Sequence, residues 1–305
     1  MSIATQDPVT TAIDAAIRAP SPQNTQPWRF EVDRRRIEVS LDLDRILTVA
    51  DPEGREARLS CGAAILNLRL ALRAAGRIPL VHLLPPGGGR EHLATVWERG
   101  AMTATPDDLT LARAIPCRRS NRRAFTAREV PVWVRQALVQ AAMEEGAHLA
   151  VVGPAGPLDA LSTLVREAER QQREDPAFQD EVRRWTATDG SRDDGVPAVA
   201  NENGPAWPFD RTPLVAVLSS YTDTPLAQVR AGQALQRVLL RATTAGVSVS
   251  FLSQPIEIPA LRATVGRLVA GPGNPQLVLR FGYGFAAPPT RRRPAAAVTR
   301  YLGRG

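Results

Sequence analysis

Gly62-Ala-Ala-Ile-Leu-Asn-Leu-Arg-Leu-Ala-Leu-Arg-Ala-Ala-Gly76 is the stretch around which the chain is organised. Read from Ala57 to Ala75, its apolar residues (Leu59, Ala63, Ile65, Leu66, Leu70) cover more than one face of a helix. That spacing predicts a largely buried helix, ended by Gly76. A second stretch, Gly232-Gln-Ala-Leu-Gln-Arg-Val-Leu-Leu-Arg-Ala-Thr-Thr-Ala-Gly246, repeats the plan 170 residues later. Apolar positions coincide at Ile65/Leu235, Leu68/Val238 and Leu70/Leu240, and each stretch is followed by a strand-like segment and a proline, Pro85 or Pro255. The repeat implies two related halves, 1–113 and 114–305, packed about a pseudo-twofold axis. Gly62 and Gly232 are expected to open their helices and let the two backbones approach closely at that axis.

The rest of the chain alternates in type. Strands are expected at Trp28 to Val32 and Ile37 to Leu43 around an Asp33–Arg36 hairpin, then at Ile78 to Leu84 and His92 to Trp97. Further on, helical patterns occupy Val9 to Arg18, Pro131 to Gly146, Leu158 to Gln172, Gly232 to Ala245 and Ile258 to Leu268. Strand patterns occupy His148 to Val152, Thr212 to Ser219, Val247 to Leu252 and Pro275 to Tyr283. Residues 189–208, rich in Gly, Pro, acids and Asn, have the length and chemistry of a lid segment.

Two loops carry the chemistry. Cys117-Arg118-Arg119-Ser120-Asn121-Arg122-Arg123 crowds four arginines and a serine into six positions, 118 to 123, just after Pro116 breaks an apolar-periodic segment. Guanidinium forks and a hydroxyl in one place suit a phosphate monoester. Ala19-Pro20-Ser21-Pro22-Gln23-Asn24-Thr25-Gln26-Pro27-Trp28 cannot be helix; its prolines remove chain entropy and leave the polar groups between them aimed in advance. Only the first half carries the proline loop, and the arginine cluster begins the second half, so their pairing builds one complete site.

Composition excludes several classes. The 305 residues hold no lysine, so all 38 basic residues are arginine; a Schiff-base or P-loop lysine is ruled out. The net charge of +7 is spread among acids rather than concentrated, which argues against nucleic acid and for attraction of small anions. The two cysteines, Cys61 and Cys117, sit in apolar surroundings and read as buried free thiols. The three histidines (His82, His92, His148) fall in or beside strand-like segments and read as structural, and no paired-carboxylate, Ser-His-Asp or metal-ligand spacing is visible. With no signal-peptide core and no apolar run of membrane-spanning length, a soluble cytoplasmic protein is expected, without a membrane partner.

In this order, the motifs resemble those of the FMN-dependent nitroreductase family, and its Acg-type branch in particular, in which two halves are fused in one chain with a lid over the flavin pocket. The residues that carry the resemblance are 19–28, Arg118 to Arg122, Gly54-Arg55-Glu56, Cys61-Gly62-Ala63 and Arg291-Arg292-Arg293-Pro294. The resemblance implies an α+β fold whose halves are mainly antiparallel sheets flanked by helices and packed as an internal pseudo-dimer, with a monomer or homodimer as the assembly. It also implies bound FMN. Arg118, Arg119, Ser120 and Arg122 would hold the phosphate and ribityl chain, and Arg291 and Arg293 would complete the phosphate grip. Pro20, Ser21, Pro22 and Asn24 would reach the isoalloxazine from the other half, with Leu252 and Ser253 near its reactive edge. NAD(P)H would be the donor and a nitro compound, quinone or similar small molecule the acceptor, with no catalytic side chain required. The alternative is a protein that binds FMN and shuts it away without turnover. The first half lacks an Arg-x-Ser opening, so a second flavin site is not expected.

Overall fold

The computed structural model describes residues 7–153, 156–187, 196–197, 214–269, 273–285 and 287–303. Most of the segment expected to be a lid, 189–208, therefore lies outside the described residues. Helix α1 (Pro8–Ala16) starts at Asp7, whose carboxylate accepts from the Thr10 N–H at 3.1 Å, and buries Val9, Ala12, Ile13 and Ala16. Strands β1 (Trp28–Asp33) and β2 (Arg36–Leu41) form the expected hairpin, turned by Arg34 at φ 52°. Helix α2 (Arg55–Ala74) follows, then β3 (Arg77–Leu83), β4 (His92–Ala101) and α3 (Pro106–Ala114).

Beyond the arginine cluster come α4 (Val132–Met143), β5 (His148–Val151), α5 (Gly156–Glu174) and α6 (Pro176–Trp185). A small parallel pair, β6 (Thr186–Ala187) and β7 (Val196–Pro197), precedes β8 (Leu214–Ser220). Helix α7 (Pro225–Thr244), β9 (Ser248–Phe251), α8 (Gln254–Glu257), α9 (Pro259–Leu268) and β10 (Asn274–Gly282) complete the second set. The chain ends in α10 (Ala295–Val298) and β11 (Thr299–Tyr301).

The architecture is α+β, with two main sheets among the described residues besides the small β6–β7 pair. One has the order β11-β1-β2-β4-β3, antiparallel except for the parallel β11–β1 pair. The other, β5-β8-β10-β9, is antiparallel throughout. Between them α2 and α7 lie in contact, and they carry the repeat. Each is twenty residues long, and their first and last residues are separated by the same 170 positions as Gly62 and Gly232. Both end in a left-handed glycine, Gly76 at φ 70° and Gly246 at φ 67°, where a Cβ would be strained.

The two interior glycines face each other. A Cβ on Gly62 would stand 2.1 Å from the Val229 carbonyl oxygen, and one on Gly232 would stand 2.0 Å from that of Leu59. Leu59 and Val229 are themselves equivalent in the repeat, so the contact is reciprocal, as a twofold contact requires. The glycines do not open their helices as expected. They lie two turns inside, where the axes cross, and the N-termini are capped otherwise. Asp51 accepts the N–H groups of Glu56 (3.0 Å) and Ala57 (2.9 Å), and Thr224 accepts that of Ala227 (3.3 Å).

Hydrogen bonds also join the helices along the seam. Arg58 Nε donates to Gln228 Oε1 at 2.6 Å, and Gln236 Nε2 donates to Asn67 Oδ1 at 2.8 Å. Around them the apolar side chains of α2, such as Ile65, Leu66, Leu68 and Leu72, are fully buried, each stabilising the fold by about 1.5–3 kcal/mol. Cys61 belongs to this core, and burial pushes its thiol pKa up. Cys117 corrects the expectation of two buried thiols: it is exposed, on the turn after α3.

Candidate functional site

The arginine loop is held in place by its asparagine. Asn121 is buried; its N–H donates to the Val249 carbonyl at 2.8 Å, and its side-chain amide donates to the Phe285 carbonyl at 2.9 Å. Ser120 forms a parallel bridge with Val249, so the loop lies along the edge of β9. That docking brings Ser120 and Arg122 beside the segment that follows β9, Leu252-Ser253-Gln254.

The proline loop is shaped by backbone that few residues tolerate. Gln23, Asn24 and Gln26 have φ of 45°, 53° and 52°. Such conformations cost of order 1–3 kcal/mol each and persist where surroundings over-determine them. Here Ser21 Oγ accepts the Gln26 N–H at 2.9 Å, and Gln26 Oε1 accepts the Arg293 N–H at 2.8 Å. Asn24 Nδ2 donates to the Arg291 carbonyl at 3.1 Å. The C-terminal segment therefore crosses to the first sheet, locks the proline loop, and goes on to pair with β1 as β11.

Between these loops is a cavity of about 430 Å³. Pro20, Ser21, Pro22 and Gln23 line it from one side, and Ser120, Arg122, Leu252 and Ser253 from the other. Leu59 and Ser60 of α2 and Leu235 of α7 form its floor at the helix seam. Phe178 and Val182 of α6 close another wall. Glu181, between them in sequence, accepts the N–H groups of Val49 (3.1 Å) and Ala50 (2.9 Å), which ties α6 to the first half.

Next to the cavity residues is a group of guanidinium ions without counter-charge. Arg118 is buried, and its Nε and Nη1 have no hydrogen-bond partner; the same holds for Arg292 Nε. Burial, then Arg292 and Arg119, push the Arg118 pKa down to about 9. Burial, Arg119 and Arg18 push that of Arg292 down to about 10. Among the described residues no acid pairs with Arg118, Arg119 or Arg292. A guanidinium keeps its proton even when buried, and among the described residues no carboxylate offsets the cost of that burial. Arg119 Nη1 donates to the Pro116 and Arg118 carbonyls at 2.7 and 2.8 Å, and Arg292 Nη1 donates to Asn24 Oδ1 at 3.0 Å.

The structure therefore gathers Pro20, Ser21, Pro22, Ser120, Arg122, Leu252 and Ser253 around one cavity. It places Arg118 and Arg119 in the adjoining cationic group. Asn24 does not line the cavity; it stands behind the loop and holds Arg292. The C-terminal arginine in the group is Arg292, which sequence reading passed over. Arg293 instead turns to Asp42 (3.3 Å) and the Ala297 carbonyl, and Arg291 meets the loop through its carbonyl. Of the three, Arg292 is the one whose charge acts on Arg118.

Two carboxyl groups, one from each half, also line the cavity. Burial raises the Glu56 pKa to about 7 against the pull of Arg55, and burial and then Glu56 raise that of Glu257 to about 8. They lie 201 positions apart in sequence, so no spacing could reveal them.

Rv3131 of Mycobacterium tuberculosis strain H37Rv, provisionally named an NAD(P)H nitroreductase, is 34% identical over 96% of this chain and 91% of its own. Acg of the same strain, named in the same way, is 32% identical over 96% of this chain and 95% of its own. The chain belongs to the NAD(P)H nitroreductase family. No family model matches it. Among solved structures, a Bacteroides fragilis nitroreductase with bound FMN aligns with 60% of this chain and 93% of that one, at 17% identity and a TM-score of 0.38. A protein provisionally assigned as an Anabaena variabilis nitroreductase aligns with 81% of this chain and 69% of that one, at 12% identity and a TM-score of 0.48. The family assignment rests on the sequence relatives. Their matched length spans both sheets and the seam between them, so the relationship concerns the whole arrangement.

Proposed function

We propose that this nitroreductase-family chain is an FMN-dependent NAD(P)H oxidoreductase, with its two halves, 1–113 and 114–305, acting as an internal pseudo-dimer that builds one flavin site. The observation that carries this is the uncompensated guanidinium group, Arg118, Arg119 and Arg292, beside a cavity walled by both halves. A dianionic phosphate supplies the missing charge and the acceptors for the unpartnered Arg118 and Arg292 nitrogens. The cavity suits a flat, largely apolar ring system with a polar edge. Its walls include Leu59, Leu235, Leu252 and Leu277, with Ser120, Arg122 and Ser253 as hydrogen-bonding groups.

In this reading Arg118, Arg119, Arg292 and Ser120 hold the phosphate. Arg122 serves the ribityl and ring edge, and Pro20, Ser21, Pro22, Leu252 and Ser253 bound the ring. Asn24 and the backbone of Arg291 and Arg293 act by holding the proline loop and Arg292. Bound flavin supplies hydride acceptance and onward electron transfer. The chain supplies binding, orientation and a partly closed chamber. The acceptor is a small organic molecule such as a nitro compound or quinone.

The test is the visible spectrum of the purified protein before and after anaerobic addition of NADH or NADPH. Bleaching of a bound flavin band, with steady-state reduction of a nitroaromatic or quinone, is the expected result. A colourless protein that gains no thermal stability from FMN would overturn the reading, because a ligand bound only by the native state must raise stability. A second reading is favoured by α6, which closes one cavity wall and is clamped by Glu181. It is a protein that binds FMN and withholds it from donors, and tight FMN binding without turnover would establish it.

A further inference from the structure

Glu56 and Glu257 come from different halves and face one cavity, the same one that the proposed function assigns to the flavin and its acceptor. Each already has one carboxylate oxygen engaged. Arg55 Nη2 donates to Glu56 Oε1 at 2.7 Å, and Gln172 Nε2 donates to Glu257 Oε2 at 2.5 Å. The charges around the pair do not balance it. Glu257 feels the negative charge of Glu56 and Asp51 and the positive charge of Arg55; Glu56 feels the charges of Arg55, Asp51 and Arg262.

Arg55 is itself shared, since its Nη1 donates to the Gln276 carbonyl at 2.7 Å and to Gln276 Oε1 at 3.2 Å. Arg262 is committed to Asp223 at 2.7 Å. Asp51 caps α2 through two backbone N–H groups. Arg122 and Arg280 also line the cavity. Two carboxyls that line one cavity and both draw on the charge of Arg55 do not both ionise cheaply there.

We propose that Glu56 and Glu257 hold one proton between them at neutral pH, carried on Glu257 Oε1, and that Glu257 delivers it to the oxygen of a two-electron acceptor of the quinone class. This rests on the oxidoreductase reading. The balance is complete: the quinone takes two electrons and one proton, as a hydride equivalent drawn from reduced nicotinamide through the bound cofactor. The Glu257 O–H bond breaks and its proton goes to the quinone oxygen, giving the hydroquinone. The pair is left fully ionised, and a proton from water restores it. Glu257 is thus a catalytic acid, and Glu56 a positioning residue that keeps the proton on it.

The test has two arms. Infrared spectra of the cofactor-free protein, titrated from about pH 5.5 to 9.5, should show a protonated carboxylic C=O band that survives above the ordinary carboxylate range and vanishes in Glu257→Gln and Glu56→Gln. Turnover of the FMN-loaded protein with a quinone should fall as pH rises past about 8. In Glu257→Gln it should be at least tenfold slower near neutral pH and lack that descending limb, since a positioned acid is worth about 10²–10⁴ in rate. Thermal melts of each variant establish that it folds. Absence of the band, with both carboxyls ionised at pH 6.5, overturns the proposal even if the flavin enzyme is active. An unchanged pH profile in Glu257→Gln overturns the delivery step. A protein that shows the band but binds no FMN overturns the oxidoreductase reading and the delivery step with it, and leaves the shared proton standing.

Discussion

Replacing Gly232 by alanine places a methyl group where the neighbouring helix runs. The added Cβ would sit 2.0 Å from the Leu59 carbonyl oxygen and 2.8 Å from the Leu59 Cα and carbonyl carbon. All three are backbone atoms, so no side-chain rotation relieves the clash, and α2 and α7 must part by roughly 1 Å to reach ordinary contact distance. Overpacking of this kind costs about 1–3 kcal/mol and sometimes more. The better helix propensity of alanine returns about 1 kcal/mol.

Because the clash is with backbone, the upper end of that cost applies and the expected net loss is about 2 kcal/mol, or roughly 3 °C in melting temperature for a chain of 305 residues. Gly62→Ala should behave alike, because its Cβ would stand 2.1 Å from the Val229 carbonyl oxygen. The double variant should lose less than the sum, since the first displacement makes room for the second. Gly246→Ala is the control. Its cost, about 1 kcal/mol from the left-handed backbone, should add independently, for nothing lies within 4 Å of its added Cβ. Urea denaturation midpoints of the three single variants and the double variant provide the measurement. A Gly232→Ala protein as stable as the parent, or strict additivity of Gly62→Ala with Gly232→Ala, would refute the close reciprocal packing of the two helices.

Other expectations concern charge and the C-terminus. Arg118→Ala and Arg292→Ala should each weaken FMN binding by about tenfold to a hundredfold, the worth of a charge-assisted hydrogen bond to phosphate, measured by flavin fluorescence quenching. Arg293→Ala, facing Asp42, should move it far less. Without FMN, Arg118→Met should be no less stable than the parent by thermal melt, because it removes a repelled buried charge.

Stability should also fall as pH rises from about 4.5, where the unfolded carboxyls ionise, to about 7 to 8, where the folded ones do. Glu56 and Glu257 have folded pKa values raised above their unfolded ones, so the stability they allow is present at low pH and is lost as they ionise. The Glu56→Gln/Glu257→Gln protein should show a flatter urea midpoint over that range. Removal of residues 299–305 should weaken FMN binding as well as lower the melting temperature, because β11 anchors the segment that presents Arg292.

The sequence by itself determined the repeat, most helices and strands, the two loops and the family. Periodicity of apolar residues is a local signal, and left-handed glycines and prolines mark ends locally too. Its errors were also local in origin. Helix α6 is not legible in the sequence, since its partner, the turn at Val49 and Ala50, is remote. The repeat glycines read locally as helix starts, although their place is decided by where two axes cross. Cys117 reads as buried from its apolar neighbours, but the turn after α3 exposes it.

Only the tertiary structure chose Arg292 over its two neighbours, since which face of an extended arginine run meets the cluster depends on where β11 docks. Only it brought Glu56 to Glu257. A carboxyl's protonation is set by desolvation and by charges gathered from several elements, and no window of sequence contains them all.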